Sequence, residues 1–254
     1  MARLEDPRLT MPAVRARYND PAKYTSEDTW HRFTGRETHR QIVRFWQSHS
    51  GPNQVLLNAG AGNVELGLHA ATTINLDISE TRVSKLKTRV VGSVEAIPLS
   101  DNAVDVIVCV GSVINYCDAA ETISEFARVL RPGGHLLLEF ESSRSAELCT
   151  QQAFGRSVAL AETFYGDDPE ILWVYAPDFI VQLLRAAHFS VVQQVAIHIL
   201  SPWVLLLLRN ISAAAATARL DRWASHFPLL SRWASNHLFV CKRNRQRCLA
   251  AFDE

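Results

Sequence analysis

The stretch Val55-Leu-Leu-Asn58-Ala-Gly60-Ala-Gly62-Asn-Val-Glu-Leu-Gly67 constrains the fold more than any other part of the chain. A short apolar run enters a Gly-x-Gly turn, and an amphipathic segment follows. This is the pattern of a buried parallel strand stopping at a tight turn from which a helix starts. Glycine at the turn permits positive φ and leaves no Cβ to hold a ligand away from the backbone. The N–H groups at such a helix start suit an electron-rich or anionic ligand group.

With 254 residues, 48% of them hydrophobic, the chain can bury the core of one α/β domain with an appendage. Its 26 basic and 26 acidic residues cancel, so no global field argues for nucleic acid or an anionic membrane as partner. Five cysteines without a Cys-x-x-Cys pair exclude a zinc site or disulfide framework, so no metal is expected and a reducing cytoplasm fits best. The start of the chain lacks the apolar region of a signal peptide. The longest apolar run, Trp203–Leu208, falls far short of the roughly 20 residues that span a bilayer. A soluble protein is expected.

Residues 1–50 are polar and Arg-rich, with Tyr18 and Tyr24 placed as in an arm that folds over a ligand. Thr25 or Ser26 caps a helix whose apolar stripe runs through Trp30, Phe33, Ile42, Phe45 and Trp46. After the strand Gln54–Asn58, a second strand over 73–77 ends in Asp77, 17 positions beyond Gly60. That offset is near the one at which a carboxylate accepts both ribose hydroxyls of an adenosine cofactor. A helix is predicted over 80–88, a brief strand over 90–92, and a loop at Ser93-Val94-Glu95-Ala-Ile-Pro98. The β-branched run Val104–Val110 is a central buried strand that stops at Gly111. A helix over 119–130 is broken by Arg131-Pro-Gly-Gly134, which leads into a strand over 135–141. Residues 142–168 show no clear pattern. A helix over 177–187, a strand over 189–198, an apolar Ala-rich helical stretch over 200–235 and a closing strand over 237–242 complete the chain. Strands alternating with helices at this spacing indicate a parallel, doubly wound sheet.

A dinucleotide fingerprint would place its third glycine at position 65, where this chain has Glu65, a poor neighbour for a pyrophosphate. Four blocks in order instead resemble a class I S-adenosylmethionine-dependent methyltransferase of the small-molecule group. They are Val55–Gly62, Asn75-Leu-Asp77-Ile78, Ser93–Leu99 with Asp105-Val-Ile-Val, and Phe126-Ala-Arg128-Val-Leu-Arg-Pro-Gly-Gly134 through Phe140. The resemblance implies a Rossmann-like, mostly parallel seven-stranded sheet with an antiparallel last strand. It also implies an N-terminal helical arm (1–50), a core (51–199 and 236–254) and a helical insert (200–235) for the acceptor or a dimer contact. The implied cofactor is S-adenosyl-L-methionine. Asn58, Gly60, Ala61 and Gly62 would approach its methionine and ribose, and Asp77 would bind the ribose hydroxyls. Ile78 would pack on adenine, Ser93, Val94 and Glu95 would meet the adenine edge, and Val110 and Gly111 would line the methyl-transfer face. Asn58 and Ser93 depart from the family, which usually has acids there, and His188 stands where a glycine is usual.

Methyl transfer from a sulfonium is an in-line displacement that chiefly requires positioning. A base is needed only for an acceptor that must lose a proton. Tyr18, Tyr24, Tyr116, Glu141, His198 and His226 stand in segments that can reach the methyl, with Tyr24 and Tyr116 foremost. The expected activity is transfer to an oxygen or nitrogen of a small, apolar or bulky acceptor by a monomer or homodimer, with no nucleic acid or membrane partner. The alternatives are a cofactor-binding protein without catalysis and, further off, an NAD-dependent enzyme. Trp203, Trp223 and Trp233, with the leucine run Leu205–Leu208, read most simply as a helical core.

Overall fold

A computed structural model describes residues 6–20, 29–165, 168–208, 211–217, 220–225 and 227–245. The main sheet has seven strands: β1 (Val55–Ala59), β2 (Thr72–Asp77), β3 (Arg89–Val91), β4 (Val104–Cys109), β5 (Leu130–Glu141), β8 (Phe189–Ile197) and β9 (Asn236–Arg243). Their order is β3-β2-β1-β4-β5-β9-β8. Strands β3 to β5 pair in parallel, and β9 runs antiparallel to both β5 and β8. This is the Rossmann-like sheet with an antiparallel last strand that the four blocks imply.

Side chains alternate across the sheet, so each face has its own core. On one face Leu57, Ile107, Leu136, Leu138 and Phe239 meet α4 (Ala119–Val129) and α5 (Pro177–Ala186). The amphipathic pattern of α4 buries Ile123 and Phe126 completely, each contributing roughly 1.5–3 kcal/mol. Asp118 caps α4 by accepting from the N–H groups of Ala120 and Glu121. At the end of α5, His188 adopts φ +63°, the left-handed position that a glycine would fill.

The opposite face differs from expectation. No helix follows the Gly60-Ala-Gly62 turn, and residues 63–71 cross to β2 as irregular chain. The reason is that α2 (Thr29–His49) already covers this face. Its Ile42, Phe45 and Trp46 pack on Leu56, Val106, Val108, Leu137 and Leu238, with Leu66 of the crossover in the same cluster. The helix predicted over 80–88 is only α3 (Glu80–Val83).

The N-terminal part also contains α1 (Met11–Asn19), which the sequence reading did not resolve. The unplaced stretch after Ser142 forms a second, two-stranded antiparallel sheet, β6 (Val158–Tyr165) and β7 (Asp168–Tyr175). Two runs rich in β-branched and aromatic residues flank Gly166-Asp167 in the sequence, a hairpin signal that could have located it.

The stretch 200–235 is broken into α6 (Ser201–Leu208), α7 (Ile211–Thr217), α8 (Asp221–Ala224) and α9 (Pro228–Ser231). The core reading of its tryptophans fails, because Trp203, Trp223 and Trp233 are all exposed. Ala214, Ala224 and Ala234 are buried in their place. Among the described residues no helix is long and apolar enough to cross a membrane.

Candidate functional site

A cavity of about 740 Å³ opens at the carboxyl ends of β1, β2, β4 and β5 and is roofed by α1, α2 and α6. In open α/β sheets this edge is where ligands bind. Asn58, Gly60, Ala61, Gly62, Asp77, Ile78, Ser93, Val94, Val110 and Gly111 all line it.

At the β1–β2 end, Asp77 is buried and holds the glycine turn in shape. Its carboxylate accepts from the Gly62 N–H (2.7 Å) and the Ser79 N–H (2.8 Å). Burial raises its pKa against those two hydrogen bonds. The two glycines of the turn do different work. Gly60 has φ +74°, and a Cβ there would overlap the Val113 side chain. A Cβ at Gly62 or Gly111 would meet nothing, so the backbone there is open to a ligand.

Asn58 is committed to the crossover. Its Nδ2 donates to the Val64 carbonyl and to Asn75 Oδ1, each at 3.0 Å. Glu139 lines the cavity on the same face of the sheet, two strands away.

The loop carrying Ser93 and Val94 is clamped from behind. Arg128 donates to the carbonyls of Ile97 and Leu99 and pairs with Glu125 and Asp101. Glu125 in turn accepts from the Ile97 N–H. This is the physical role of the arginine that opens the Arg-Val-Leu-Arg-Pro-Gly-Gly block. Glu95 belongs to the same bracing. Its carboxylate accepts from the Asp118 N–H at 2.7 Å, and it is not among the cavity-lining residues. The carboxylate expected at an adenine edge is thus turned toward the start of α4. Glu65 is exposed and does not line the cavity either. It thus bears on no ligand there.

The other end of the cavity is acidic, a feature of which only Glu141 was foreseen. Glu139, Glu141 and Glu147 all line it. Glu139 accepts from the N–H groups of Gly111 and Ser112 and from Asn236 Nδ2. Glu141 accepts from Ser112 Oγ at 2.8 Å, and Glu147 from Ser235 Oγ at 2.6 Å. Burial pushes all three carboxyls upward, Glu141 to about 8, with the charges of Glu139, Glu147 and Glu170 adding to its shift. A group of that kind holds a proton at neutral pH and serves as a base above it.

On the roof, Thr38 Oγ1 is buried, lines the cavity and has no hydrogen-bond partner among the described residues. One turn before it, Gly35 leaves open space on the same helix. A mid-helix glycine costs about 1 kcal/mol relative to alanine. An orphaned hydroxyl beside an unfilled helix position is what a ligand-covering surface requires.

Tyr116 lines the cavity with its ring, but its hydroxyl donates to Glu170 at 2.9 Å, where Arg17 also pairs. Its ring meets that of Tyr18 edge-on, so Tyr116 ties α1 to β7. His198 is fully buried and stacked on Trp30, with its ring nitrogens hydrogen-bonded to Thr34 and Ser201. It joins α2 to α6 and does not line the cavity. Tyr24, Thr25, Ser26 and His226 lie outside the described residues. Among the described residues no group of three or more His, Cys, Asp or Glu could hold a metal ion.

The sheet order and the cavity at its carboxyl edge define a class I methyltransferase architecture. Its structural relatives include the 1,6-didemethyltoxoflavin-N1-methyltransferase of Burkholderia thailandensis, solved with 1,6-didemethyltoxoflavin and S-adenosylhomocysteine bound. The TM-score is 0.57 at 14% identity, covering 96% of this chain and 93% of that one.

Residues 57–138 match the family described as the methyltransferase domain, whose cofactor is S-adenosylmethionine. Among curated proteins the chain is similar to the malonyl-[acyl-carrier protein] O-methyltransferase of Yersinia pestis, at 33% identity over 114 residues. That match covers 40% of this chain and 41% of the relative. It is also similar to the ubiquinone/menaquinone biosynthesis C-methyltransferase of Geobacter sulfurreducens, at 29% over 128 residues, 43% of this chain and 50% of that one. The matched stretch thus spans half or less of either curated relative.

Proposed function

We propose that the protein transfers the methyl group of S-adenosylmethionine to an oxygen or nitrogen of a small molecule held at the acidic end of the cavity. The observation that carries this reading is the pairing of Asp77 with the Gly62 N–H at the mouth of a cavity where Gly62 and Gly111 leave the backbone open. When bound, the cofactor supplies an electrophilic methyl on a sulfonium.

The residues of the chain do the rest. Asp77 has lone pairs left for two ribose hydroxyls, and Ile78 and Val94 give apolar walls for a base. Val110, Gly111 and Ser112 form the edge between the two ends of the cavity. Glu141, hydrogen-bonded to Ser112, accepts the proton of an O–H or N–H acceptor. Thr38 orients the acceptor from above. Tyr24 remains a candidate for the same end, and Tyr116 is a positioning residue.

The division into an N-terminal arm (1–50), a core (51–199 and 236–254) and an insert (200–235) accompanies this reading. In it, α1 and α2 form the roof and α6 the acceptor side.

Calorimetry with S-adenosylhomocysteine tests the reading. Binding is expected for the wild type. Asp77→Ala removes two charge-assisted ribose hydrogen bonds of about 1.5–3 kcal/mol each, so a loss of affinity of at least 100-fold is expected. Absence of binding to the wild type, or equal binding by both proteins, overturns it.

A further inference from the structure

The insert is built inside out. Ala214, Ala224 and Ala234 are fully buried, while Leu207, Leu229 and Trp223 are 77%, 73% and 62% exposed, and Trp203, Leu208 and Trp233 are exposed with them. Trp203 and Trp233 meet edge-on, and large apolar side chains exposed together in one segment mark an interaction face. Burying small residues while turning large ones outward is the arrangement of helices whose outer neighbour is lipid.

Charge and continuity identify the occupant. From 200 to 235 the sequence carries Arg209, Arg219, Arg222 and Arg232 against one acid, Asp221. Asp221 is itself buried, accepting from the Leu200 N–H and from Ser201 Oγ. The stretch is therefore positive by three charges (4 − 1) in a chain that is neutral overall. Two copies of this positively charged segment would repel one another across a twofold interface. An anionic bilayer instead takes up the exposed leucines and tryptophans and is attracted by the segment's excess positive charge, which includes the exposed Arg232. The face also connects to the cavity, because Leu205 and Leu206 of α6 line it directly before the exposed Leu207 and Leu208.

We propose that the outer face of α6–α9 docks the protein on an anionic lipid bilayer, with α6 joining that surface to the cavity. In consequence, and resting on the methyl-transfer reading of the cavity, the acceptor is an amphiphile that enters along α6. This docking is peripheral and needs no spanning helix. It departs from the expectation of no membrane partner, which was drawn from the balanced net charge and the shortness of the apolar run Trp203–Leu208.

The test is cosedimentation of the full chain with vesicles of phosphatidylcholine alone or with 30% phosphatidylglycerol. Sedimentation with the anionic vesicles at low salt is expected, with at least tenfold weaker binding at 0.5 M salt. Trp223→Asp with Leu229→Asp, both at well-exposed positions, is expected to abolish it, and Arg232→Glu to weaken it about tenfold. The proposal is overturned if the wild type stays in the supernatant, or if the double variant sediments equally. It is also overturned if light scattering shows a dimer that the double variant dissociates while neither protein binds vesicles. Calorimetry with S-adenosylhomocysteine on the same samples separates the two readings. Its failure in a vesicle-binding wild type removes the methyl-transfer reading and leaves the docking surface standing.

Discussion

Replacing Glu141 by Gln tests the acidic end of the cavity through its titration. In the unfolded chain this carboxyl titrates near 4.5, and in the folded protein near 8. Between those values the folded state holds a proton that the unfolded state has released. Raising the pH through this window therefore draws the equilibrium toward the unfolded chain. Below pH 4.5 both states are protonated and the contribution is constant; above 8 the folded carboxylate is ionised and the cost is complete. A shift from 4.5 to about 8 corresponds to roughly 5 kcal/mol, and water in the cavity trims that to about 3–5. The amide keeps the oxygen that accepts from Ser112 Oγ and removes the charge. Glu141→Gln is thus expected to resemble the wild type at pH 4.5 and to exceed it by about 3–5 kcal/mol at pH 8.5. In urea unfolding across that range, the wild-type stability falls more steeply than that of the variant. Methyl transfer by the wild type should rise through pH 8, and the variant should lose that limb. Parallel stability curves for the two proteins would show that Glu141 is solvated like a surface acid, which would refute the reasoning.

Two further substitutions separate structural from ligand-facing roles. Gly60→Ala sets a Cβ against Val113 at positive φ and is expected to cost about 2–4 kcal/mol, whereas Gly62→Ala, with open space around it, costs about 1 kcal/mol in denaturant unfolding yet weakens cofactor binding more. His198→Ala removes a stacked, doubly hydrogen-bonded buried ring and is expected to lower stability by about 2–4 kcal/mol while leaving the affinity for S-adenosylhomocysteine within threefold, as calorimetry can show.

The central strands were legible because β-branched runs such as Val104–Cys109 are buried on both faces and need no partner to declare themselves. The cofactor end was legible because glycine, a strand-end aspartate and the spacing between them are local requirements. What escaped depends on distant parts of the chain. An amphipathic segment after Gly62 pairs equally well with a sheet or with another element, and α2 decides the matter from some 20 residues away. The apolar periodicity of 200–235 shows which side chains group together without showing whether protein covers them. Glu139 and Glu147 carry no signal of their own in the sequence, and only the fold closes them around one cavity with Glu141. Glu95 is the opposite case. It sits inside a cofactor block, but its carboxylate faces the start of α4.

The missing helix and the missing acid of β1 are one change. Where a helix follows the glycine turn, its own backbone hydrogen bonds hold it, and the strand-end residue is free to carry a charge toward the ligand. Here the crossover is irregular chain, and Asn58 fastens it by donating to the Val64 carbonyl and to Asn75 Oδ1, while Asn75 donates onward to the Lys87 carbonyl. A carboxylate at position 58 has no proton to give and would face two acceptor oxygens in a buried setting. Asn58→Asp, which restores the residue usual in the resembled family, is therefore expected to destabilise the protein by about 2–4 kcal/mol in denaturant unfolding and to loosen cofactor binding. Tighter binding with unchanged stability would show that residue 58 serves the ligand alone. The stated expectation follows because the same amide that forgoes the charge is what keeps a helix-free turn in the shape that presents Gly62 to Asp77.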